Sequence, residues 1–164
     1  MIKTKISVIA LALAAISSQA FAGSATANIQ ATATLNSACV VSATNVAFGA
    51  ITPAATGNTT ATGTITSTCS KSVPYTLTIN AGSGTIAART MVGAATGNTD
   101  KLAYNLYADA GATLVWGDAT GSSVKVMGTG SGTAQTSTVY GSLSNNQYLK
   151  PDTYTDNLTV TMTY

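Results

Sequence analysis

The 164-residue sequence has no histidine and no glutamate; its five acidic residues are all aspartate. Without imidazole there is no Ser-His-Asp arrangement, no histidine acid-base pair and no ordinary zinc site. Charge is scarce at 7% of residues, and two of the seven basic residues, Lys3 and Lys5, lie in the first few positions. The rest of the chain balances Lys71, Arg89, Lys101, Lys125 and Lys150 against Asp100, Asp109, Asp118, Asp152 and Asp156. A nucleic-acid footprint needs clustered Lys and Arg to release counterions from phosphates, and none survives that balance. Apolar residues nowhere recur at i, i+3, i+4 and i+7 over a helical length, so helix explains little of the body. The one long apolar run, Ile6 to Ile16, is too short to span a bilayer as a helix.

That run follows Lys3 and Lys5 and ends near Ala20-Phe21-Ala22, a small-x-small pattern. Residues 1–22 therefore read as an export signal, with the mature chain beginning at Gly23 and no membrane insertion after cleavage. The remaining 142 residues suffice for one domain with its own core. Cys39 and Cys69, in a chain bound for an oxidising compartment, are expected to form one disulfide. Closing a loop of about 31 residues stabilises by roughly 3 to 4 kcal/mol on a chain-entropy estimate.

Period-two alternation dominates the body, placing successive side chains on opposite faces of a sheet. Tyr75, Leu77 and Ile79 alternate with Thr76, Thr78 and Asn80; Leu158, Val160, Met162 and Tyr164 alternate with Asn157, Thr159, Thr161 and Thr163. Turn clusters separate such runs, among them Thr56-Gly57-Asn58, Ala81 to Gly84, Gly97 to Asp100, Asp109-Ala110-Gly111, Gly117-Asp118 and Gly128 to Gly132. Their spacing predicts an all-β sandwich or barrel of short antiparallel strands. Ala-Ala-Thr-Gly-Asn-Thr occurs twice, at 54–59 and 94–99, without repetition of the flanking sequence, and reads as shared turn chemistry.

From Ala25 to Asn36 every odd position is apolar and every even one polar, with no charge, proline or glycine. A strand of that length with an uncovered edge invites pairing with another chain. It is either an ordinary first strand covered within its own domain or a strand whose purpose is pairing.

Leu102-Ala103-Tyr104-Asn105-Leu106-Tyr107-Ala108-Asp109 followed by Val115-Trp116-Gly117-Asp118 resembles the signature of the spore coat protein U domain family. Thr138-Val139-Tyr140-Gly141 and Tyr154 to Tyr164 resemble that family's last two strands, and Cys39 and Cys69 fall where its disulfide is expected. The family includes pilins of archaic, Csu-type chaperone-usher pili. The resemblance implies an incomplete immunoglobulin-like β-sandwich over 37–164, lacking its final strand, with residues 23–36 as an N-terminal donor extension. It implies a structural pilus subunit, exported through the periplasm to a cell-surface fimbrium that supports adhesion and biofilm formation. The implied partners are a periplasmic chaperone, an outer-membrane usher and identical or related pilins, each neighbour's extension filling the groove by strand addition.

Carried onto these positions, the donor side chains are Ala25, Ala27, Ile29, Ala31, Ala33 and Leu35. The acceptor groove is bordered by Leu158, Val160, Met162 and Tyr164, which equally well read as residues of a closed core. No cofactor and no catalytic residue is implied. A carboxylate pair for glycoside hydrolysis would have to come from aspartates in or beside turn clusters, where Asp usually caps the turn. No EF-hand or glycine-rich repeat spacing supports calcium. Trp116 and the seven tyrosines suit a lectin platform only if several are exposed together, and core and groove packing is the simpler expectation. Asn58-Thr59-Thr60 and Asn157-Leu158-Thr159 match the glycosylation sequon without further support. The alternatives to a structural pilus subunit are a tip adhesin or carbohydrate-binding module, and a spore or cell-coat protein of the same fold.

Overall fold

The computed structural model describes residues 22–164; the export segment expected at 1–22 lies outside them except for Ala22. Two compact units divide between Thr34 and Leu35. In the first, residues 22–34 form no strand and every one is exposed, Ile29 at 97%. Alternation predicts a strand here. A strand exists only through ladder bonds to a neighbour, and among the described residues no strand pairs with this segment.

The second unit holds nine strands: β1 (Cys39–Ala43), β2 (Asn58–Cys69), β3 (Pro74–Ile79), β4 (Arg89–Gly93), β5 (Lys101–Tyr107), β6 (Val126–Thr129), β7 (Ala134–Ser144), β8 (Tyr154–Thr155) and β9 (Val160–Thr163). They form a six-stranded sheet, ordered β1-β2-β7-β5-β4-β8, and a three-stranded sheet, ordered β6-β3-β9. Every pairing between them is antiparallel. The described residues contain no helix.

Alternation explains the layers. On β2 the odd positions Ile65, Ser67 and Cys69 are buried, while Thr60, Thr62, Thr64, Thr66 and Thr68 form the wetter outer row. β7 keeps the same parity, with Val139 and Leu143 inward, and the two pair from Asn58↔Ser144 to Thr68↔Ala134. β3 supplies Tyr75, Leu77 and Ile79 to the same core from the smaller sheet. Trp116, 1% exposed, stitches the layers, donating its indole N–H to Leu77 O at 3.2 Å and its backbone N–H to Leu106 O at 2.9 Å. The turn expected at Gly128 to Gly132 begins later, because Gly128 belongs to β6 opposite Tyr75.

Cys39 and Cys69, directly opposite in the β1–β2 register, form the expected disulfide, with Cα atoms 4.1 Å apart. Cys39→Ser should lower unfolding stability by about 3 kcal/mol and reduce the yield of folded protein in an oxidising compartment. Urea denaturation of the two proteins tests it; equal midpoints would mean the bridge adds nothing to stability.

Candidate functional site

Four strands end the two sheets, β1 and β8 in the larger and β6 and β9 in the smaller, and β1 and β9 are the two that flank the site. β1 ends the larger sheet with β2 on one side only, and β9 ends the smaller sheet with only β3 beside it. Between these edges lies a cavity of about 560 Å³. Its walls are residues 43–48 on one side and 154–158 with Val160 on the other; its floor includes Ile65, Ile79, Met91, Leu106 and Val139.

Each wall forms where the chain leaves one pairing for another place in the sandwich. After β1, Thr44 still binds β2, its N–H donating to Thr64 O at 2.9 Å while its hydroxyl accepts from Thr64 N–H at 2.8 Å. The chain then crosses the inner face, where Val46 and Phe48 are half-buried and Asn45 and Ala47 exposed. Gly63 and Gly141 make room for that crossing. A Cβ on Gly63 would meet Val46 Cγ2 at 2.8 Å, and one on Gly141 would meet both Val46 Cγ1 and Phe48 Cζ at 2.7 Å. Phe48 packs edge-to-face on Tyr104, ring centroids 6.0 Å apart.

The opposite wall pairs with β4 as β8 and, after four intervening residues, with β3 as β9. The link between is held by polar contacts. Asp156 accepts from Tyr104 OH at 2.7 Å and Ser83 N–H at 2.9 Å. Asn80 and Thr159 exchange two bonds: Thr159 N–H donates to Asn80 Oδ1 at 2.9 Å, and Asn80 N–H to Thr159 O at 3.1 Å. Gly82, at φ +61°, makes room for the Asp156 carboxylate.

Behind this wall is Arg89, fully buried. Its guanidinium donates to Asn105 Oδ1 at 2.7 Å, Trp116 O at 2.8 Å, Asn80 O at 2.9 Å and Ile79 O at 3.2 Å. Burial lowers its pKa, partly opposed by the negative charges of Asp156 and Asp118, yet a guanidinium stays protonated at any working pH. Burial raises the Tyr104 phenol well above its usual range, and the bond to Asp156 acts in the same direction. The neutral phenol thus stabilises the fold in full below the unfolded value of about 10, and that contribution is lost as pH rises beyond it. Thermal melts from pH 9 to 12 should fall more steeply for the native chain than for Tyr104→Phe; equal slopes would mean Tyr104 titrates alike folded and unfolded.

Leu158 and Val160 line the cavity and pack on the core. Met162 lies further along, its sulfur 3.6 Å from Cys69 Sγ. Tyr164 is 59% exposed and outside the cavity, beside a shallow surface depression with Tyr75, Met127 and Gly128. Among the expected donor residues Ile29 and Leu35 are almost wholly exposed, 97% and 92%, and Ala25, Ala27, Ala31 and Ala33 are exposed as well. Sequence reasoning missed Val46, Phe48, Asp156 and Arg89 as parts of this region. The Val46/Phe48 alternation was legible; nothing local marked Arg89 as buried.

The aspartates are tied to separate turns. Backbone donation from Leu114 and contacts from Thr113 hold Asp109 below the usual carboxylate range. Thr120 does so for Asp118, and Asn98 with the Ala95 N–H for Asp152. Asp100 accepts from Lys150 N–H. Among the described residues no three Cys or Asp gather as metal ligands. Trp116, Tyr75 and Tyr104 are buried, while Tyr148 and Tyr164 are the strongly exposed aromatics. Among the same residues no helix is long and apolar enough to cross a membrane.

Residues 25–161 match the Spore Coat Protein U domain family. No curated protein matches the chain. In three dimensions it is similar to a chain in the crystal structure of the CsuC-CsuE chaperone-tip adhesion subunit pre-assembly complex from archaic chaperone-usher Csu pili of Acinetobacter baumannii. The TM-score is 0.56 at 19% identity, over 80% of this chain and 40% of that one, so the present chain spans well under half of its neighbour. At that identity the likeness establishes the fold, an all-β sandwich of the immunoglobulin-like kind.

Proposed function

The chain belongs to the Spore Coat Protein U domain family, and from that premise we propose that it is a structural subunit of a chaperone-usher pilus. Residues 1–22 are its export signal, 23–36 its donor extension and 37–164 its acceptor domain. Subunits join when the segment Ala25 to Leu35 of one copy lies in the groove of the next. A periplasmic chaperone fills the groove beforehand, and an outer-membrane usher directs the exchange at the cell surface. The fibre serves adhesion and biofilm formation. The chemistry is strand addition, without catalysis.

One observation carries this reading. Among the described residues there are both an open slot between the free edges of β1 and β9 and a charge-free alternating segment that pairs with no strand. A native fold otherwise covers or charges such an edge. Leu158, Val160 and Met162 would then border the inserted strand, with Tyr164 at its margin.

A synthetic peptide of residues 24–36 tests the reading. Added to the chain lacking those residues at about 100 times its dissociation constant, it should stabilise the domain by about 2.7 kcal/mol. A peptide of the same composition with the alternation scrambled should do nothing. No stabilisation by the native peptide at millimolar concentration would count against strand donation.

A further inference from the structure

The groove is uneven along its length. At one end Ala43, Leu158 and Val160 flank the 560 Å³ cavity. Toward the other end the disulfide and Met162 occupy the space: Cys69 is 2% exposed and its sulfur lies 3.6 Å from Met162 Sδ. Moving from the cavity to the disulfide, β1 runs backward from Ala43 to Cys39 while the final strand runs forward from Leu158 to Met162. The walls are therefore antiparallel, and an inserted strand lies parallel to one and antiparallel to the other, whichever way it enters.

Resting on the donor-strand reading above, we infer that the groove selects its donor by side-chain size and that Ile29 of a neighbouring copy is the anchor seated between Val46 and Leu158. Ile29 is the one large apolar residue of the alternation with two alanines on each side, Ala25 and Ala27 before it and Ala31 and Ala33 after it. In either direction an alanine methyl then falls over the filled disulfide end, where a larger side chain would overpack. Leu35 fails on reach. Ala38 is tied to its own domain, its N–H donating to Ser70 Oγ at 3.1 Å and its carbonyl accepting from Ser70 N–H at 2.9 Å. Three residues extend at most about 11 Å, so seating Leu35 in the cavity would press the two domains together, whereas nine residues from Ile29 to Ala38 span up to about 32 Å.

Engineered cysteines read the register directly, because the chain's two cysteines already pair with each other. In assembled full-length protein, Ile29→Cys with Leu158→Cys should give a disulfide-linked ladder on denaturing gels, and so should Ile29→Cys with Val46→Cys, which guards against one variant misfolding. Ile29→Ala should weaken subunit joining on the order of tenfold to a hundredfold, and Leu35→Ala far less. A ladder from Leu35→Cys with Leu158→Cys, and none from Ile29→Cys, would overturn the anchor assignment while leaving strand donation standing. Polymers persisting after removal of residues 25–35 would overturn both.

Discussion

Deletion of Ala25 to Leu35 should abolish polymers altogether while leaving a soluble subunit that still forms a one-to-one complex with its chaperone. The deleted segment is exposed and unpaired, so the core of Ile65, Leu77, Ile79, Trp116, Val139 and Leu143 loses nothing from its removal. What disappears is the partner for a neighbour's open edges. Burial of Ile29 is worth roughly 1.5 to 3 kcal/mol and an alanine methyl about 1. Backbone ladder bonds, each a net 0.5 to 1.5 kcal/mol or so, must supply much of the remaining hold. Size-exclusion chromatography and negative-stain microscopy distinguish the outcomes. Fibres from the deleted chain would end the donor-strand account, and loss of the chaperone complex would show that the segment also serves the subunit's own fold.

Arg89→Met should be the most damaging single substitution in the domain, costing about 3 to 5 kcal/mol in urea denaturation. Methionine fills a similar space but leaves the Ile79, Asn80 and Trp116 carbonyls and Asn105 Oδ1 without their donor. Arg89→Lys should recover only part of the loss, since one ammonium cannot reproduce the planar fork of five donors. Asn80 also holds Thr159, so damage at Arg89 should reach the groove wall and depress polymer yield beyond what lost stability explains. A cost below about 1 kcal/mol would show that water replaces the guanidinium at no penalty.

The sandwich was legible wherever one sheet face is wet and the other dry. Tyr75, Leu77 and Ile79 lie inward on β3, and the Leu102 to Asp109 signature covers all of β5 except Lys101. The final alternation was legible only in part. Leu158, Val160 and Met162 keep an inward face, yet the chain from Tyr154 to Thr163 serves two strands of different sheets with a polar link between them. Period-two patterning reports facing, and it is blind to a strand changing partners. Arg89 escaped for a related reason. An arginine is ordinarily a surface residue, and its burial depends on carbonyls from residues 79, 80 and 116 that only tertiary structure gathers. The groove lay beyond local reasoning too, since its walls are about 110 residues apart in sequence and its room depends on the absence of side chains at Gly63 and Gly141.

The disulfide has a mechanical meaning in a fibre joined as proposed. Tension from a neighbour would enter each domain through its N-terminal segment and meet Cys39 only four residues after Leu35. There the covalent bridge shunts the load straight to the end of β2, sparing the short β1–β2 ladder from being peeled open. β2 is clamped to β7 across eleven register pairs running along the pull, so those bonds are loaded together in shear. The weakest mechanical element would then be the joint between subunits, and an overstretched fibre should part there with its domains intact.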